Sequence, residues 1–166
     1  MRRSEFIESI SMFVVLILLS AITGCSRRSR TTDTRSTQFS SEQEKVRFLA
    51  TYLQMKSDVE AAAFHIRYQD NSGGWLPGPS DWDIQAVMRV RPEDLSRWTE
   101  DMSIVGADSR EGYVFDGWPN WGYSLLPDDP RWRVGSKPTV FARQDGSVMV
   151  AIFQPEGIVM KRAVKF

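Results

Sequence analysis

Residues 148–153 read Val-Met-Val-Ala-Ile-Phe, an unbroken apolar run between Asp145-Gly146 and Pro155-Glu156-Gly157. Both flanks are hairpin-turn sequences, and the run between them is short, so it reads as a strand. Neighbouring residues of a strand point to opposite faces, so one that is apolar at every position needs cover on both sides. It must therefore lie inside a sheet. Strands at Thr139–Arg143 and Ile158–Val164 flank it, which predicts a C-terminal three-stranded meander.

Upstream, Ser41-Glu42-Gln43-Glu44 is a capping box: the serine oxygen takes an early backbone N–H while Glu44 reaches back. Val46, Leu49, Ala50 and Leu53 follow at helical spacing, which predicts an amphipathic helix of about 15 residues. Alternation then takes over from Ala61 to Gln69, with Ala62, Phe64, Ile66 and Tyr68 on one face and Ala63, His65, Arg67 and Gln69 on the other. After a Gly- and Pro-rich loop, a second strand runs over Asp83–Arg91 with Ile84, Ala86, Met88 and Val90 inward. Pro92-Glu93-Asp94 opens a short helix, since proline suits the first helical position and acids suit the first turn. Its apolar stripe is Leu95, Trp98 and Met102. The sum is an α+β domain, an antiparallel sheet of about five strands with two helices packed on it. Residues 103–133 carry Gly, Pro and many aromatics, and a short strand is expected within them at Gly112–Phe115.

The first residues have a different character. Arg2-Arg3 precede an apolar block at Met12–Ile22, about a dozen residues against the ~20 that a membrane-spanning helix needs. That is the layout of an export signal. Ile22-Thr23-Gly24-Cys25 follows, and it resembles the lipobox of bacterial prolipoproteins, with the chain's sole cysteine at the lipid-accepting position. The resemblance covers residues 1–25. It implies cleavage of 1–24, a diacylglyceryl group on the Cys25 sulfur and an N-acyl chain on its new amino group. Each buried methylene contributes about 0.8 kcal/mol, so two or three chains anchor where one does not. The competing reading is an uncleaved signal anchor interrupted by Glu8. Ser26, in place of the aspartate that holds such proteins at the inner membrane, is compatible with the periplasmic face of the outer membrane in a Gram-negative host.

Residues 25–40 read as the lipidated cysteine and a mobile tether, with Phe39 the one side chain able to join a core. Residues 26–40 contain four arginines and one aspartate, a net +3 suited to anionic headgroups, or else a plain solvated spacer. The globular domain is expected over 41–166. Overall, 21 basic residues balance 21 acidic ones, so nothing supplies the field that would hold nucleic acid. One cysteine excludes an internal disulfide framework and a four-cysteine zinc site.

Candidate chemistry is sparse. His65 is the lone histidine, and no nucleophile motif accompanies it. Asp81-Trp82-Asp83 ends an oxygen-rich loop, so Asp81 and Asp83 could ligate calcium, act as a hydrolytic carboxylate pair, or simply order a turn. Trp75, Trp82, Trp118, Trp121 and Tyr123 are the candidate binding aromatics. They could stack on sugars, anchor a protein partner, or fill a satellite core under a long loop. The reading that follows is a non-catalytic lipoprotein of the cell envelope with a protein-binding or assembly role and no cofactor beyond its covalent lipid. A glycan- or cell-wall-binding module using residues 113–132 and an inhibitor or immunity-type lipoprotein are the alternatives.

Overall fold

The computed structural model describes residues 31–71, 78–105 and 120–165. Residues 1–30 with Cys25, the strand expected at Gly112–Phe115, Trp75 and Trp118 lie outside the described residues. The described chain builds one seven-stranded sheet in the order β1-β2-β3-β7-β6-β5-β4, every neighbouring pair antiparallel. The strands are β1 (Thr31–Arg35), β2 (Val59–Gln69), β3 (Asp81–Val90), β4 (Ser103–Ile104), β5 (Thr139–Ala142), β6 (Val148–Phe153) and β7 (Ile158–Lys165). Two meanders, β1–β3 and β4–β7, are therefore sewn together along β3 and β7.

Each face of the sheet has its own core. On the first, Phe64, Ile66, Ile84, Met88, Val150 and Val159 pack under Leu49 of helix α1 (Glu42–Leu49) and under Leu95 and Trp98. On the second, Val87, Ala151, Phe153, Ile158 and Met160 pack under Trp132, Leu125 and Leu126, beside the short helix α2 (Asn120–Ser124). All of β6 is buried, as its unbroken apolar sequence requires. Gly146 and Gly157 close its two hairpins at positive φ (+69° and +64°), where a Cβ would be strained. At Gly122, an added Cβ would run into the Met160 sulfur, so a glycine lets α2 lie directly on the sheet.

Several expectations are corrected. Part of the tether reading fails: Thr31–Arg35 is an edge strand paired to β2 from Thr31↔Gln69 to Arg35↔His65. Phe39 joins the first core, its ring 4.8 Å from Phe48 and 5.7 Å from Phe64. The ladder on β2 and this aromatic cluster offset the ordering entropy of this polar segment. The folded domain thus includes Thr31–Arg35 and Phe39, upstream of the start expected at Ser41. The capping box forms, with Glu44 N–H donating to Ser41 Oγ at 3.2 Å. The helix it opens stops at Leu49, short of the expected length, and Thr51 Oγ1 donates to the Phe48 carbonyl at 2.7 Å, a side-chain bond that competes with the helical ladder. The helix expected at Pro92 is a 3-10 helix over Pro92–Thr99, although it buries Leu95 and Trp98 as its stripe predicts. Seven strands replace about five, because β1 is polar throughout and β4 has two residues, and neither carries a readable alternation. With β4 beside β5, the C-terminal meander has a fourth strand.

Candidate functional site

The polar half of the second sheet face gathers most of the described chemistry. Strand alternation sends Asp83 and Gln85 of β3, His65 and Arg67 of β2, and Arg162 of β7 to this one face. Register sets the rest: Asp83 lies opposite Arg67 on one side, and Gln85 lies opposite Arg162 on the other. Asp83 is buried. Arg162 donates to it through Nε at 3.0 Å and Nη2 at 3.2 Å, Gln85 Nε2 does so at 3.3 Å, and Arg67 Nη2 bonds the same carboxylate. Burial alone would raise the Asp83 pKa, but the Arg162 and Arg67 guanidiniums outweigh it and hold the carboxyl below its ordinary value.

At the β1 edge, His65 Nε2 lies 2.7 Å from Asp33 Oδ1. This contact, and the neighbouring positive charges, hold the Asp33 carboxyl below its ordinary value. A carboxylate–imidazole pair resembles half of a nucleophile-activating relay, but that chemistry needs a hydroxyl or thiol on the other ring nitrogen. Among the described residues none is bonded there. Within the cluster two guanidiniums share the Asp83 carboxylate, and the Arg67 side chain is 54% exposed. A planar guanidinium of this kind pairs readily with a carboxylate on another molecule.

The residues singled out by sequence fall in separate places. Asp81 and Asp83 share a face, as alternation requires. They do not form a ligand pair: Asp83 is taken by arginines, while Asp81 accepts from Asn71 Nδ2 at 3.2 Å. Trp82 points to the opposite face and packs half-buried at the border of the first core. Trp121 packs against the second core. Tyr123, 39% exposed, meets Phe153 edge-on with ring centroids 6.0 Å apart. Trp82 is thus separated from Trp121 and Tyr123 by the thickness of the sheet, so these three do not make one aromatic platform. Arg162 and Lys161 were not singled out by sequence. Their available signal is that they interrupt an otherwise apolar run, Ile158-Val-Met-Lys-Arg-Ala-Val164.

No protein-family model, curated protein or solved structure matches this chain.

Proposed function

We propose that this chain is a bacterial lipoprotein held in the cell envelope through lipid on Cys25, and that its domain is a non-catalytic binding or assembly component. The observation that carries the reading is Ile22-Thr23-Gly24-Cys25, with the only cysteine of the chain, directly after a short apolar block. The fold supports a consequence of it. Thr31 is already in the sheet, so the chain from Cys25 to Thr31 spans at most ~20 Å, against ~50 Å for a tether running to Ser40. Thr31 lies opposite Gln69, at the end of the sheet from which the 70–80 connection leaves. That end faces the bilayer, and the domain meets its partner close to the membrane. Ser26 favours the periplasmic face of the outer membrane in a Gram-negative host.

Within this reading, the partner is a protein with an acidic contact group, recognised by Arg67 and its neighbours on the second sheet face. The glycan alternative loses ground because Trp121 is engaged in packing. Crosslinking in intact cells, followed by capture of the lipidated protein, tests the assignment. One stoichiometric protein crosslinked to wild type, and at least tenfold less to Arg67→Glu, is the expected result. Retention on purified cell wall without a protein partner would replace it with the glycan reading.

A further inference from the structure

β1 stands between Cys25 and the rest of the sheet, and it is lightly held. Its residues, Thr-Thr-Asp-Thr-Arg, are all polar and none of them is buried. It lies at the edge of the sheet, and among the described strands it pairs with β2 alone. Docking also shuts the Thr32 Oγ1 away from solvent with no hydrogen-bond partner among the described residues, a cost that the undocked strand does not carry. The next stretch of chain is fixed: Ser36 is buried, and Phe39 packs in the first core. The boundary between lightly held and fixed chain therefore falls between Arg35 and Ser36.

One side-chain pair clasps β1 to β2. His65 Nε2 lies 2.7 Å from Asp33 Oδ1, a diagonal contact across the ladder, since Asp33 stands opposite Arg67 and His65 opposite Arg35. Both groups meet solvent, the His65 side chain at 19% exposure and Asp33 at 61%. Histidine is the side chain whose charge changes between pH 5 and 8. A protonated imidazole makes a charge-assisted bond to the carboxylate, and a neutral one leaves a plain hydrogen bond. Among the described residues, the other groups facing the pair do not replace that charge. Arg35 is on β1 itself and cannot tie the strand to the sheet, and Gln85 faces His65 from β3 without charge. Arg67, beside His65 on β2, bonds the Asp83 carboxylate that Arg162 also holds.

We propose that the His65–Asp33 contact is a pH-sensitive latch on β1: a protonated His65 keeps the strand docked, and a neutral His65 lets it open as a unit about a hinge at Arg35–Ser36. The change is a shift between two populations, and a solvent-exposed ion pair supplies about fivefold in such an equilibrium. The latch does not depend on the reading of Cys25, although its consequence does. With lipid on Cys25, opening of β1 lengthens the tether from ~20 Å to ~40 Å at full stretch, so the reach of the domain from the bilayer increases as pH rises.

Amide hydrogen exchange of the full-length chain at about pH 5 and about pH 8, corrected for the intrinsic pH dependence of exchange, tests the latch. The β1 amides should open about fivefold more often at the higher pH, while the amides of β3 and β7 show no such change. Asp33→Asn and His65→Gln should each remove that pH dependence. Asp33 is exposed, so its variant decides the matter even if His65→Gln does not fold. Opening of β1 that is equal at the two pH values, or that keeps its pH dependence in Asp33→Asn, would overturn the proposal. So would β1 amides that exchange only together with those of β3 and β7. None of these outcomes bears on the lipid at Cys25, which the mass of the membrane-extracted chain reads separately.

Discussion

Lys161 carries an ammonium into the first core, and its pKa of about 8 lies below the ordinary 10.5. Between those values the unfolded chain binds more protons than the folded one, so stability rises with pH across that interval and is lower below it. The shift corresponds to about 3 kcal/mol by order of magnitude. Lys161→Met should therefore raise unfolding free energy at pH 7 by about 1–3 kcal/mol, because replacing a buried charge with an apolar group of similar size removes its desolvation penalty. The variant should also lose the rise in stability between pH 8 and 10.5, as urea unfolding at several pH values would show. Asp83 has the opposite sign: its pKa is lowered, so its contribution is present above pH 3.8 and is lost as pH falls through the folded value. Asp83→Asn removes the carboxylate charge shared by Arg67 and by Arg162, whose side chain is 13% exposed, and should cost about 3 kcal/mol. Denaturant unfolding at pH 7 checks it. Alternation alone placed Arg67 on the polar face of its strand. Asp83 meeting Arg162 was not readable, because it depends on the β3–β7 register between residues 79 apart in sequence.

At the scale of elements, legibility follows the strength of the local signal. β2, β3 and β5–β7 show either alternation or turn-bounded apolar runs, and all five form close to where those signals place them. The start of α1 is readable because a capping box is a local device, whereas its end is set by the turn that brings Leu53 into the first core. β1 has no such signal. Thr-Thr-Asp-Thr-Arg becomes a strand because the edge of β2 offers it a ladder, a tertiary effect that overrides a polar composition. The β6–β7 turn gives the sharpest element-scale prediction. Gly157 stands at φ +64°, and an added Cβ would collide with the Val90 carbonyl oxygen. The same segment holds β3, since the Val90 N–H donates to the Gly157 carbonyl at 2.8 Å. Gly157→Ala should cost about 2 kcal/mol or more through strain and displacement of this contact, measurable as a lower denaturation midpoint with unchanged slope.

For the whole molecule, anchoring and fold make a single geometric statement. Thr31 is already in the sheet, so lipid on Cys25 would hold the domain within ~20 Å of the bilayer. The domain would then stand close to the bilayer, with the Arg67–Asp83–Arg162 cluster on the second sheet face and Lys161 buried on the first. Among the described residues, no helix is long and apolar enough to cross a membrane. The motif on which the proposed anchor rests is legible in sequence, as four residues. The height of the domain is not, because it turns on β1. The measurement that tests the account most directly is the intact mass of the chain extracted from the membranes of a bacterium with lipid-processing enzymes. The account predicts a chain beginning at Cys25 and carrying two or three acyl chains, with membrane retention lost in Cys25→Ser. A full-length, unmodified chain that stays in the membrane as Cys25→Ser would contradict it.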